Sequence, residues 1–147
     1  MIMSFAERGQ ETADEGMRLA RDADARDADL ARLSHSPETA VRAAVGEQAK
    51  TPLTCLLRLA EDPEASVRAA VARNPRPDLP EEVRKDLAHD KAVEVQLDLI
   101  RNPHVPDRVI ARLARSRHHE VAVAVQERLG AKGTKARVLG MLGYSTD

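Results

Sequence analysis

Aromatic residues are almost missing from this sequence: Phe5 and Tyr144 are the only two, and there is no tryptophan. A core centred on large rings is therefore excluded, and so is a platform of rings on which unpaired bases could stack. Cysteine is confined to Cys55, which excludes an intramolecular disulfide and a cysteine cluster for zinc or iron–sulfur. No uncharged run exceeds nine residues (Val138 to Thr146), far short of the roughly 20 apolar residues that cross a bilayer. The N-terminus meets an acid at Glu7, so it does not read as a signal-peptide core. A cytoplasmic protein with no membrane segment is the expectation.

What fills the chain instead is small and aliphatic. Of 147 residues, 24 are Ala, 15 Leu and 13 Val, and 42% are apolar. Charged residues make up 32%, nearly balanced at 23 basic and 24 acidic. The length suits one domain with a real core, and the composition suits helices.

Internal repetition organises the sequence. Pro37-Glu-Thr-Ala-Val-Arg-Ala-Ala-Val45 returns 26 residues later as Pro63-Glu-Ala-Ser-Val-Arg-Ala-Ala-Val71. The frame continues 28 residues on at Lys91 and 26 further at Arg117. A second half-unit recurs at Pro52–Asp62, Pro80–Asp90 and Pro106–Ser116, and Arg26–Ser36 fits it without the proline. Leu33, Leu59, Leu87 and Leu113 form one column, and Val41, Val67, Val95 and Val121 another. Within a unit, Val41, Ala44 and Val45 stand at i, i+3, i+4, one face of a helix. Each unit thus predicts two short helices. Proline at each start suits a first helical turn, and the triplets Arg73-Asn74-Pro75 and Arg101-Asn102-Pro103 act as helix stops. The second helix, about ten residues long, has room for a partly 3₁₀ form. Such helices are marginal alone, so stacking must supply their stability. The expected fold is all-α: a right-handed helical-repeat solenoid of 26–28-residue units.

The expected organisation is one domain over 11–147. Residues 11–36 form an N-terminal cap with Leu19, Leu30 and Leu33 in core columns. Units follow at 37–62, 63–90 and 91–116, and residues 117–147 form the last repeat and C-terminal cap. Residues 1–10 are expected to be disordered. Lys132–Leu142 falls where a final second helix belongs, with Val138, Leu139 and Leu142 to seal it. Its glycines loosen that cap, and Tyr144–Asp147 is expected to fray.

The pattern Asp62-Pro63-Glu64-x-x-Val67-Arg68-x-x-Val71-Ala72-x-Asn74-Pro75, then Leu79-Pro80-Glu81-Glu82-Val83-x-x-x-Leu87-Ala88, resembles the leucine-rich repeat variant family. The resemblance covers roughly residues 26–129. It implies a solenoid of alternating α and 3₁₀ helices, distantly related to HEAT-type repeats. The units here are slightly longer than is usual in that family. The cysteine-rich iron–sulfur segment that can precede such repeats is lacking, so the resemblance brings no cofactor. A fold of this kind does not fix an activity.

Catalytic signatures are missing. There is no Gly-x-x-x-x-Gly-Lys, no Gly-x-Gly-x-x-Gly after a strand and no Gly-x-Ser-x-Gly elbow. Cys55 shares its column with Val83 and Val109, which marks a buried structural thiol. His35 and His89 share a polar column with Glu61 and Arg115, a solvated helix end. His118 and His119 are adjacent and point about 100° apart on a helix, a poor arrangement for one metal. No enzyme, metal or cofactor is expected.

The arginines carry more. Arg42 and Arg68 share one column, Arg73 and Arg101 another, and each set reads either as a binding ladder or as inter-repeat ion pairs, with Glu38, Glu64 and Glu94 close by. Charge is also uneven: residues 101–147 hold nine basic and four acidic groups. Arg108, Arg112, Arg115, Arg117, Lys132 and Lys135 there complete the candidate binding set. Two functions are open. One is a non-catalytic protein-interaction or scaffold module with a protein partner; the other is contact with a duplex nucleic-acid backbone. Head-to-tail self-association of acidic and basic ends is a further option.

Overall fold

The computed structural model describes the backbone of residues 2 and 4–141 and the side chains of residues 2, 4 and 12–130. Among these are nine α-helices and no strand: α1 (Phe5–Arg21), α2 (Asp27–Leu33), α3 (Thr39–Glu47), α4 (Leu53–Leu59), α5 (Ala65–Ala72), α6 (Glu81–Ala88), α7 (Val93–Arg101), α8 (Asp107–Ala111) and α9 (His119–Met141). The chain is all-α, and no described helix is long and apolar enough to cross a membrane.

The prolines start the helices from one or two residues further out than a first-turn position. Pro52, Pro80 and Pro106 are the N-caps of α4, α6 and α8, with ψ of 139°, 137° and 144°. Their fixed φ is compatible with helix, but their extended ψ places the first helical residue after them. Their carbonyls take the opening bonds, as in Cys55 N–H to Pro52 O at 2.9 Å. Pro37 and Pro63 stand one residue before the caps Glu38 and Glu64. The stops fall as the triplets predict, with α5 ending at Ala72 and α7 at Arg101. The second helices are α-helical in their bodies. The shortest, α8, runs out into i→i−3 bonds from Arg112, Leu113 and Ala114, the tighter 3₁₀ pattern.

Each odd-numbered helix packs on the next: α1 on α3, α3 on α5, α5 on α7, and α7 on α9. The even-numbered helices fill the flanks of this row, α4 for example touching α3 and α5. Small side chains permit the close approach of α3 and α5. A Cβ on Gly46 would lie 3.2 Å from the Cβ of Ala70, and one on Gly16 of α1 would lie 3.3 Å from a methyl of Val41. Both sequence columns are buried throughout: Val41, Val67, Val95 and Val121, and Leu33, Leu59, Leu87 and Leu113. They belong to one continuous apolar core running from Ala20 to Val125.

One core column breaks its own rule. Leu30, Leu56 and Ile110 are fully buried at equivalent places in α2, α4 and α8, and the α6 member is Arg84, only 4% exposed. Its Nη2 donates to the carbonyl of Arg76 at 2.7 Å, while its Nε is buried without a partner among the described residues. Burial holds its pKa below the ordinary guanidinium value, against the attraction of Asp78 and Glu81.

The ends are polar. On α1, the exposed Glu15 and Arg18 occupy the columns of Val41 and Ala44. On α9, Gln126 is exposed where Ala72 and Ile100 are buried. The final second helix expected at 132–142 is instead the continuation of α9, which runs unbroken through Gly130, Gly133 and Gly140. The side chains of 5–11 and 131–141, and residues 142–147 altogether, lie outside the described residues. The backbone of residues 5–10, within the segment expected to be disordered, belongs to α1; the seal by Val138, Leu139 and Leu142 and the fray at Tyr144–Asp147 lie outside the described side chains and residues.

Two substitutions test this core. Leu59→Ala is expected to cost about 2–5 kcal/mol in a single cooperative melt, because no short helix stands without its neighbours. Arg115→Ala, at an exposed polar position, should stay within about 0.5 kcal/mol of wild type. Thermal melts followed by circular dichroism separate the two, and a Leu59→Ala melt like wild type would refute the core register. Arg84→Leu is expected to raise the melting temperature, by about 1 kcal/mol or more of stability, since it restores the column and removes a poorly solvated cation. A lowered melting temperature would show that the bond to Arg76 outweighs the burial cost.

Candidate functional site

The candidate arginines divide into those consumed by the frame and those left at its surface. Arg42 on α3 grips Asp62, in the α4–α5 connection, with both arms: Nε to Oδ2 at 2.9 Å and Nη2 to Oδ1 at 3.3 Å. Its remaining nitrogen donates to Ser36 O at 2.9 Å. Arg68 on α5 repeats the grip on Asp90, at 2.6 and 3.2 Å, and donates to Asp62 O at 2.7 Å. These pairs are nearly buried, with side-chain exposures of 15% and 8%, and 15% and 10%. The partners are therefore these two aspartates, not the neighbouring Glu38, Glu64 and Glu94. Arginine is long enough to reach the next connection, where a carboxylate already accepts a backbone N–H two residues on (Glu64 to Asp62, Ala92 to Asp90). Hydrogen bonding to Asp62 and to Asp90 raises the pKa of Arg42 and of Arg68, over the opposing effect of burial.

The third unit keeps the geometry and drops the charge. Gln96 replaces the arginine and donates to Asp90 O at 2.6 Å, and Ser116 replaces the aspartate. The two columns change together, from Arg with Asp to Gln with Ser. The Gln96 Oε1 stays buried without a partner among the described residues.

A second ladder, of which only Asn74 and Asn102 stand in the predicted helix stops, holds the opposite helix ends. Asn74 donates through Nδ2 to Gly46 O and Gln48 O at 2.8 and 3.1 Å. Asn102 donates to Ala72 O and Asn74 O, both at 2.9 Å. Gln48 does the same to Ala20 O and Asp22 O at 3.2 Å. Arg128 does so to Ile100 O and Asn102 O at 2.6 and 3.0 Å. These four residues lie 26, 28 and 26 apart, the repeat spacing itself. That shared column was the available signal; the mixture of Gln, Asn and Arg conceals it.

Arg73 is half-exposed and bridges three helices, Nε to Glu47 at 2.8 Å and Nη1 to Asp98 at 3.0 Å. Partial burial works against its charge, and these two carboxylates override it to raise its pKa. Arg101 shares the column, but the equivalents of Glu47 and Asp98 around it are Arg73 and Ala124. It is exposed, with no ion-pair partner among the described residues. Arg108 is clamped by Glu81 through two guanidinium nitrogens, Nε to Oε1 at 2.9 Å and Nη2 to Oε2. The Arg108 guanidinium holds the Glu81 carboxyl down at about 2. Arg112, Arg115 and Arg117 are exposed and form no ion pair with another described residue. Lys132 and Lys135 have side chains outside the described residues.

Other chemistry stays dispersed. Cys55 is buried in α4, and no three His, Cys, Asp or Glu converge on one point among the described residues. A cavity of about 1580 Å³ opens beside α1, the end of α2 and the start of α3. Its lining mixes Met17, Leu33 and Val41 with Glu15, Arg18 and Arg32, so it selects no one sign of ligand and contains none of the candidate arginines. Comparison with family models, with curated proteins and with solved structures returns no match to this chain.

The Arg68–Asp90 grip makes a pH prediction. Burial pushes the Asp90 carboxyl up, and the bonds from Arg68 and the Ala92 N–H overcome it, leaving the pKa below its ordinary value. A carboxyl lowered by folding contributes stability above its unfolded pKa of about 4 and loses it as pH falls through the folded value. At neutral pH, Asp90→Asn is expected to cost about 3 kcal/mol, because it strands a nearly buried guanidinium. As pH falls through the lowered folded-state pKa of Asp90, the wild-type and Asp90→Asn melts should converge. A gap that stays constant from neutral to acid pH would refute the charge-based account.

Proposed function

We propose that the chain is a right-handed helical-repeat solenoid of the leucine-rich repeat variant, HEAT-like type, working in the cytoplasm as a non-catalytic scaffold that binds another protein. The observation that supports this is the partition of the arginines. Arg42, Arg68, Arg73 and Arg108 are spent on carboxylates of neighbouring helices and connections. Arg112, Arg115 and Arg117 are exposed and free of ion pairs to described residues. A frame whose polar groups hold the units together, with Arg101, Arg112, Arg115 and Arg117 left exposed at its surface, suits recognition of a partner better than bond-making.

Affinity capture from a nuclease-treated native lysate tests it. Wild-type protein is expected to retain a stoichiometric protein partner, and the triple reversal Arg112→Glu, Arg115→Glu, Arg117→Glu to lose it. Recovery of nucleic acid alone from untreated lysate would refute the scaffold reading. The same three arginines support a second reading, contact with a duplex phosphate backbone, which needs cations and no stacking rings. In that case affinity for duplex DNA or RNA should fall steeply with salt and vanish in the triple reversal. No shift with either duplex at low salt removes this reading.

A further inference from the structure

We infer that Arg76 and Arg84 form a binding site for a phosphate group, held in this structure by the chain's own Asp78 carboxylate. The inference is independent of the partner readings above. It begins at the connection into α6. Residues 73–80 are two more than the equivalent 47–52 and 101–106, and the frame places Pro77 and Asp78 as the insertion. Leu79 returns to register as a buried residue, in the column of Thr51 and Val105. What the insertion adds is a carboxylate. Asp78 accepts from Arg76 Nε and Nη2, both at 2.8 Å. Lys50 and His104, at the places equivalent to Arg76, are exposed and form no ion pair with a described residue.

The unusual connection meets the unusual core residue. Arg84 stands where Leu56 and Ile110 are buried and is itself 4% exposed. Its Nη2 donates to the carbonyl of Arg76 at 2.7 Å. That is its one hydrogen bond among the described residues, and its Nε is buried with none. Bonding to Arg76 holds the Asp78 carboxyl below its ordinary pKa, and Arg84 makes a smaller contribution of the same sign. The Asp78 carboxylate thus feels two guanidiniums and is bonded to one. The other charges of this connection and of α6 are engaged: Arg73 with Glu47 and Asp98, Glu81 with Arg108 and Lys85, and Glu82 with Lys85. Asp86 is exposed and two residues from Arg84, a spacing at which helical side chains do not face each other. Arg84 is the buried cation left without an ion-pair partner.

The charge of the ligand follows from what it must displace. Asp78 is 61% exposed, so its pair with Arg76 is weak, but it is tethered in place and competes at high effective concentration. A second monoanion would bring the same charge and gain nothing. A free phosphate or a phosphate monoester carries about −1.5 to −2 charges near neutral pH and at least three acceptor oxygens. Two oxygens replace Asp78 on Arg76, and the further oxygen and charge are left for Arg84. A phosphodiester has one charge and lacks this advantage.

Titration of the full chain, followed by nitrogen-15 NMR of the arginine Nε–H signals at constant ionic strength, tests this. Orthophosphate is expected to shift the Arg76 and Arg84 signals of wild type. It should bind Asp78→Ala about tenfold more tightly, because the tethered competitor is gone. Arg84→Leu, which restores an apolar column, is expected to weaken binding about tenfold or more, in wild type and in the Asp78→Ala background alike. Dimethyl phosphate and acetate should shift neither signal. Glycerol phosphate distinguishes the sources: binding as tight as orthophosphate supports monoesters as the ligand, and weaker binding supports the free ion. Circular dichroism melts check that each variant is folded. Failure of orthophosphate to bind Asp78→Ala overturns the inference. So does equal affinity for wild type and Asp78→Ala, or unchanged affinity in Arg84→Leu. Acetate that binds as tightly as orthophosphate overturns the charge argument and the inference with it.

Discussion

The constraint on which the rest depends is the carbonyl end of a very short helix. The last four carbonyls of any α-helix lack an internal partner, and α3, α5 and α7 have only nine, eight and nine residues. Nearly half the acceptors in each helix are therefore orphans. The amide of Asn74 closes the end of α3, that of Asn102 closes α5, and the guanidinium of Arg128 closes α7. Each closing residue is itself closed by the next: Asn74 donates to Gln48 O, Asn102 to Asn74 O, and Arg128 to Asn102 O. None of α3, α5 and α7 is complete without the unit that follows it.

The opposite ends of the same helices are pinned by charge. Arg42 and Arg68 cross to the next connection and hold Asp62 and Asp90, each of which also accepts a backbone N–H two residues on. Apolar columns fill the space between these two polar seams. Burial supplies most of the stability, and the seams fix which residue meets which. A fully buried Val or Leu is content at several registers; a bidentate arginine or a two-carbonyl amide is satisfied at one.

Much of this was legible in the sequence because it repeats. The Val and Leu columns, the helix stops and the all-α class follow from spacing alone. The proline starts shifted by one or two residues because spacing reports where proline sits and not its extended ψ. The arginine partners could not be chosen from spacing either, since Glu64 stands four residues before Arg68 and Asp90 stands 22 after it; reach across the packed row decides. The amide ladder escaped notice because its members differ in name and share only a donor N–H. Arg84 was hidden by the proline-led frame, which emphasised the Leu59 and Leu87 column and not the neighbouring one of Leu30, Leu56 and Ile110.

Departures from a column are more informative than agreement with it. Positions that hold Val or Leu in every unit are explained by packing, and Arg42, Arg68, Asn74 and Asn102 by the two seams. Where the ladder ends, its residues change in concert: Gln96 with Ser116, then Ala122, with Gln126 where Ala72 and Ile100 had been. That is a stack being closed with polar groups. Two departures have no such explanation. Arg84 places a cation in a core column beside a connection two residues longer than its counterparts, where Arg76 and Asp78 already pair. The connection that enters α9 carries Arg115 and Arg117 where the one that enters α5 carries Glu61 and Pro63, and neither arginine pairs with a described residue. Residues that local packing does not require mark where to look for function, and the second departure is the accessible one: Arg84 is sealed inside, while Arg115 and Arg117 meet solvent.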